Sequence, residues 1–248
     1  MGYAYCDQRK LLSTPASPQP STSADAIAPA WHTIVVVLIM LAVSGLSAYS
    51  RGLAQLGHSQ SHIGRYATAI VMEWVVVGFI WFGLRLRKQH LRILLGENWG
   101  GARQIFRDLG VAVLFLIVSN LVLGLIGHLL KAAPNDAIRN LLPHTSGEIA
   151  VYFLLTVTAG ICEEIIFRGY FQRQFSAWFK NAPVAVVLQG IIFGASHGYQ
   201  GTKLMLVIVV FGTMFGMLAQ WRHSLRPGMI AHFLQDFSGG VMAGRFMK

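Results

Sequence analysis

Ile161-Cys162-Glu163-Glu164-Ile165-Ile166-Phe167-Arg168-Gly169-Tyr170-Phe171-Gln172 sets three ionisable side chains into an otherwise apolar run. The run reads as part of a membrane-spanning helix, where charge is expensive and marks a functional site by default. Glu164 and Arg168 are four residues apart, about 40° apart in azimuth on a helix, and in the favourable acidic-before-basic order. Arg168 therefore neutralises Glu164. Glu163 points about 100° away from Glu164 by the helical period and needs another reason to be there. A surface ion pair at a helix end, with Glu163 reaching out to water, is the bland alternative for this stretch taken by itself.

The rest of the chain supports the membrane reading. Of 248 residues, 54% are hydrophobic and 12% charged, about half the charged fraction of a soluble domain. The expected fold is all-α and polytopic: about seven transmembrane helices, one or two interfacial helices, and a polar catalytic cavity within the bundle. The formal net charge of +10 does not point to nucleic acid, because the cations fall in short loops between apolar runs, where they set orientation. Cys6 and Cys162 form no disulfide framework; Cys162 reads as a small apolar filler.

The chain divides into three regions. Residues 1–30, rich in Ser, Pro and Ala, read as a disordered cytosolic tail, with no cleavable signal before the first apolar run. Residues 31–145 hold the spans Trp31–Tyr49, Tyr66–Leu84 and Leu109–Leu130, with an interfacial basic segment from about Leu91 to Phe106. Glu73, alone in the second span, is expected to face other helices or a polar cavity. Gly124 and Gly127 suggest close helix packing in the third. Residues 146–248 hold the catalytic helices: Glu148 to about Gln172, Pro183 to about His197, Leu204–Trp221, and Pro227 to about Met242. The basic loops 85–107, 168–180 and 222–226 come after alternate spans, which puts them and the N-terminus on the cytosolic side. The compartment expected is an integral membrane location, the inner or plasma membrane if the source is bacterial.

Two further pieces repeat the logic of the first. Phe193-Gly-Ala-Ser-His197 and His232-Phe-Leu-Gln-Asp236 each set key residues four apart on one helical face. Polar groups on three apolar helices are best satisfied by converging. The chemistry that fits is attack by an activated water: Glu163 as general base, His197 on the other side of the water, and His232 with Asp236 facing the developing oxyanion. One geometric condition attaches. His197 lies about four turns from Pro183, whereas His232 lies one turn into its helix. Convergence requires the helix of His197 to begin later, or Glu163 to sit mid-membrane.

Together the three pieces resemble the signature of the CAAX-processing and bacteriocin-processing (abortive-infection) membrane proteases: Glu-Glu-x-x-x-Arg, Phe-x-x-x-His, then His-x-x-x-Asn or Asp, on three helices in that order. The likeness covers about residues 148–240. It implies an intramembrane glutamic endopeptidase, type II CAAX endopeptidase-like, acting near the C-terminus of a prenylated protein or on a leader or bacteriocin-like peptide. Glu163 would activate water with His197, Glu164 and Arg168 would support the site, and His232 and Asp236 would stabilise the oxyanion. Eukaryotic-type members carry Asn where this chain has Asp236. Asn donates a hydrogen bond and an ionised Asp does not, so Asp236 is expected to orient His232, which does the donating. No cofactor is expected. The alternatives are a zinc protease with Glu163, His197 and His232 as ligands, although no His-Glu-x-x-His motif is present, and a non-enzymatic scaffold or ion-coupled transporter.

Overall fold

The computed structural model describes residues 25–55, 61–96, 101–133, 136–139 and 141–246. Most of the tail expected over 1–30, including Cys6, and the loop residue His58 lie outside the described residues. The described chain is helical: α1 (Ala30–Gln55), α2 (His62–Leu86), α3 (Arg92–Leu95), α4 (Ala102–Leu130), α5 (Asp136–Arg139), α6 (Ser146–Glu163), a π-helical segment (Glu164–Phe171), α7 (Gln172–Phe179), α8 (Ala182–Ser196), α9 (Thr202–Arg222) and α10 (Arg226–Phe246). Five helical stretches are long and apolar enough to cross a membrane: Ala30–Tyr49, His62–Leu86, Ala102–Leu130, Ser146–Phe179 and Thr202–Arg222. The other two long helices are α8, apolar but of 15 residues, and α10. They carry His197 and His232 with Asp236.

Local sequence explains where helices begin. Thr145 and Glu148 form a capping box at the start of α6, satisfying two free backbone N–H groups reciprocally. Asn181 caps α8, with a proline in its first turn, where a missing N–H costs nothing. From Ser146 the chain runs without a break to Phe179, 34 residues in all. Glu163 is seventeen positions on from Ser146, so it sits at the middle of this rod. The helix of His197 does not begin later than expected, since α8 starts at Ala182, and the residues come together because Glu163 is carried half-way along this rod.

Two expected features differ. The segment from Leu91 to Phe106 is not a single interfacial element. Leu94 of α3 is fully buried, the Leu225 N–H donates to the Leu95 carbonyl at 3.3 Å, and residues 102–106 already belong to α4. Asp108 accounts for the early start. Its carboxylate meets Arg226 at 2.9 Å and Arg222 at 3.2 Å, so the helix continues through a neutralised charge. Gly124 and Gly127 have no neighbour within 4 Å of where a Cβ would stand, so they make no close helix contact among the described residues.

The close contact lies elsewhere. A Cβ on Gly160 of α6 would stand 2.9 Å from the Met229 carbonyl oxygen and 3.1 Å from the Phe233 nitrogen. Only a residue without a side chain lets α10 lie this close to α6, one turn from Glu163. Gly160→Val is expected to lower stability by about 1–3 kcal/mol, the usual cost of overpacking. Gly110→Val, which meets nothing within 4 Å, should leave the thermal midpoint in detergent unchanged.

Candidate active site

The ion pair expected between Glu164 and Arg168 is present. Arg168 Nη1 lies 2.9 Å from Glu164 Oε1, and both side chains are fully buried. Arg168 also donates from Nη2 to the Gly212 carbonyl at 3.2 Å. Its guanidinium lies between the rings of Phe193 and Phe215, 4.5 and 4.8 Å from their centroids, and the ring faces add cation–π attraction in a dry setting. Gly228, in the first turn of α10, leaves room for the other carboxylate oxygen: a Cβ there would fall 2.7 Å from Glu164 Oε2.

The pair sits in the π-helical turn from Glu164 to Phe171, every residue of which is buried. Turns of this kind recur at functional sites. They change the azimuth of the helix beyond them, so a straight 100° wheel places Glu163 relative to α7 only approximately.

His232 is held by three carboxylates. Its Nδ1 donates to Glu164 Oε1 at 3.1 Å. Its Nε2 lies 3.5 Å from Glu163 Oε2 and 3.5 Å from Asp236 Oδ2. The expectation that Asp236 orients this ring is therefore modified. Glu164 holds the ring by its hydrogen-bonded Nδ1, and Asp236 stands at the opposite, cavity-facing nitrogen. The i, i+4 spacing brought His232 and Asp236 together as expected but could not say which nitrogen would be shared.

His197 caps the C-terminal end of α8. Its Nδ1 is 2.8 Å from the Phe193 carbonyl. A carbonyl only accepts, so Nδ1 carries a proton, and in the neutral tautomer this leaves the lone pair on Nε2. Phe193, the first residue of that motif, thus fixes the His197 tautomer with its backbone and covers Arg168 with its ring. The neighbouring Ser196 donates to the Ile192 carbonyl at 2.9 Å. Cys162 is fully buried, as a filler would be.

Glu163, His197, His232 and Asp236 line one cavity of about 430 Å³. Glu164 and Arg168 do not line it. The Glu163 and Asp236 side chains keep 16% and 36% exposure, against 0% for Glu164. The paired glutamates are thus divided into one that water reaches and one sealed beneath it. Glu73 of α2 lines the same cavity, as do Tyr152 of α6 and Gln235 of α10. A polar cavity was one of the two surroundings expected for Glu73; its sharing of the space with Glu163 was not legible, since nothing in the second span matches the motifs. Among the described residues, no three His, Cys, Asp or Glu side chains are grouped as metal ligands, and the set Glu163, His197 and His232 is not gathered in that way.

Comparison with known families agrees with this arrangement. Residues 145–238 match the family model described as Type II CAAX prenyl endopeptidase Rce1-like. Over this C-terminal part the chain is similar to the CAAX protease-like family of membrane peptidases. No curated protein and no solved structure matches the chain. The match begins at the α6 capping box and ends two residues past Asp236, so it takes in all three motifs and leaves Glu73 outside.

Arg168→Ala would leave the Glu164 carboxylate buried without its cation, a loss of about 3–5 kcal/mol. Unfolding in detergent should show it as a marked drop in midpoint. Arg168→Lys should recover only part, because one ammonium cannot copy the planar group held between two rings.

Proposed function

We propose that this chain is an intramembrane endopeptidase in which Glu163 activates the attacking water. The observation that carries the reading is the shared cavity: Glu163 and His197 both face it as proton acceptors, while Glu164 and Arg168 are sealed below. A water held between them would give one hydrogen bond to the Glu163 carboxylate and one to His197 Nε2, the two contacts this general-base step requires.

Glu163 takes a proton as the water oxygen adds to the carbonyl carbon of the scissile amide. The oxyanion that forms needs donors already in place; His232 Nε2 and Asp236, adjacent on α10, are the groups assigned to it, each donating when it carries a proton. Collapse of the tetrahedral intermediate breaks the carbon–nitrogen bond, and the proton held by Glu163 passes to the leaving amine. No bound group is needed to balance these steps. The substrate is a protein or peptide reached through the lipid bilayer, either a prenylated C-terminus or a leader or bacteriocin-like peptide. The N-terminus lies on the cytosolic side, in the inner or plasma membrane for a bacterial source.

Purified protein offered a panel of prenylated and unprenylated fluorogenic peptides tests the reading. Glu163→Gln should lower turnover by about 10²–10⁴-fold with an unchanged melting midpoint, and a chelator should leave the wild-type rate as it is. Loss of cleavage on chelation would replace this mechanism with a metal-dependent one. His197→Ala should also lower kcat, with a smaller effect on KM, since its partner is the water and not the peptide.

A further inference from the structure

The bundle has two chemically distinct ends. At one end the last turn of α2, the connection to α4 and the first turns of α4 carry Arg85, Arg87, Lys88, Arg92, Arg103 and Arg107, and α9 ends at Arg222. Four of the five exposed indoles among the described residues, Trp31, Trp81, Trp178 and Trp221, stand at this same end, on four different helices, and Trp74 lies about two turns deeper on α2. Exposed tryptophans and clustered cations together mark a membrane–water interface, and cation-rich short loops mark the cytosolic one. At the other end the cations are scattered, with no connection between long helices holding more than Lys131 and Arg139 among its described residues.

The cavity lies toward the cation-poor end. The α8–α9 contact fixes its level. A Cβ on Gly194 would meet Val209 and the Met205 carbonyl, and one on Gly190 would meet Thr213 and the Val209 carbonyl. The two helices are therefore antiparallel, and His197, just past the end of α8, lies level with the first turns of α9. Val207, Ile208 and Phe211 of α9 line the cavity beside Glu163. At 1.5 Å per residue, Ile208 is about 9 Å from Thr202 and about 20 Å from Trp221. The outer part of the wall comes from Arg65 and Tyr66 in the first turns of α2, from Ile138, Leu141 and Leu142 before α6, and from Tyr199 and Gln200 before α9. All of these belong to the end away from the cationic loops.

We infer that the catalytic cavity opens on the non-cytosolic face, so that its substrate is a polypeptide segment presented from that side, such as an exported or membrane-anchored peptide. This rests on the endopeptidase reading and chooses between its two substrate classes. A cytosolic prenylated C-terminus would meet the sealed Glu164–Arg168 pair and not the cavity mouth, whose α9 wall at Ile208 lies about 20 Å along the helix from Trp221.

Cysteine accessibility in intact bacterial spheroplasts tests the placement without requiring proteolysis. In a Cys6→Ser, Cys162→Ala background, Gln200→Cys or Lys203→Cys reports the cavity end and Arg87→Cys the cationic end. A membrane-impermeant maleimide should label Gln200→Cys and Lys203→Cys from outside, and Arg87→Cys only after permeabilisation. The reverse pattern, or labelling of both ends from one side, overturns the inference. An alkaline phosphatase fusion at the C-terminus of the wild-type chain gives a second readout free of cysteine replacement. It should be active, because α10 runs toward the cavity end; an inactive fusion on an expressed chain also overturns the inference. The Glu163→Gln assay in detergent has no sidedness, so failure of the placement and failure of the protease reading remain separate results.

Discussion

A guanidinium buried between two phenylalanine rings and a carboxylate is the interaction on which the rest of this bundle depends. Taking both ions out of water costs several kcal/mol each, and the cost is offset only if every partner is in place. The partners come from four elements: the π-helical turn supplies both ions, α8 supplies Phe193, α9 supplies Phe215 and the Gly212 carbonyl, and α10 supplies His232 and the gap at Gly228. Satisfying Arg168 therefore brings together the helices that carry the cavity residues. Site assembly and bundle packing are the same event.

The arrangement also explains why two adjacent glutamates do unlike things. Glu164 is enclosed, shared between an arginine and an imidazole, and its task is to hold. Glu163, one residue earlier, is the last residue of α6 before the wider turn and keeps contact with the cavity. In a continuous apolar helix, neighbouring positions differ by about 100° in direction, enough to put one carboxylate into a sealed core and the next onto a solvated wall. His232 links the two, with one ring nitrogen on each.

How much of this the sequence disclosed depends on the range of each interaction. Glu164–Arg168, Phe193–His197 and His232–Asp236 are contacts along one helix at a fixed spacing, and helical geometry alone exposes them. The convergence of the three helices could be argued from the expense of lone charges in apolar runs. The contacts that depend on register between distant helices were not visible: Asp108 with Arg222 and Arg226, Glu73 in the same cavity as Glu163, and Glu164 instead of Asp236 at the His232 Nδ1. Small-residue spacing misled for the same reason. Gly124 and Gly127 have the look of a packing face, yet the close approach occurs at Gly160, which only the position of α10 reveals. Basic residues between Leu91 and Phe106 suggested a surface segment, but apolar Leu94 was free to tuck inward while its charged neighbours stayed outside.

Gln174 of α7 touches no motif. Its side-chain oxygen accepts from the Ile27 and Ala28 N–H groups at 2.9 and 3.2 Å, and its nitrogen donates to the Ala28 carbonyl at 2.7 Å. One primary amide thus imitates a peptide unit of a neighbouring strand. Because it grips main chain alone, it is indifferent to which side chains pass through it, proline at 27 or 28 excepted, since each of those positions must offer an N–H. The leading segment is fastened by a clasp that reads polypeptide and not sequence, so its point of attachment is set by main chain, while the burial of Ile27 and Ala28 limits which side chains fit there.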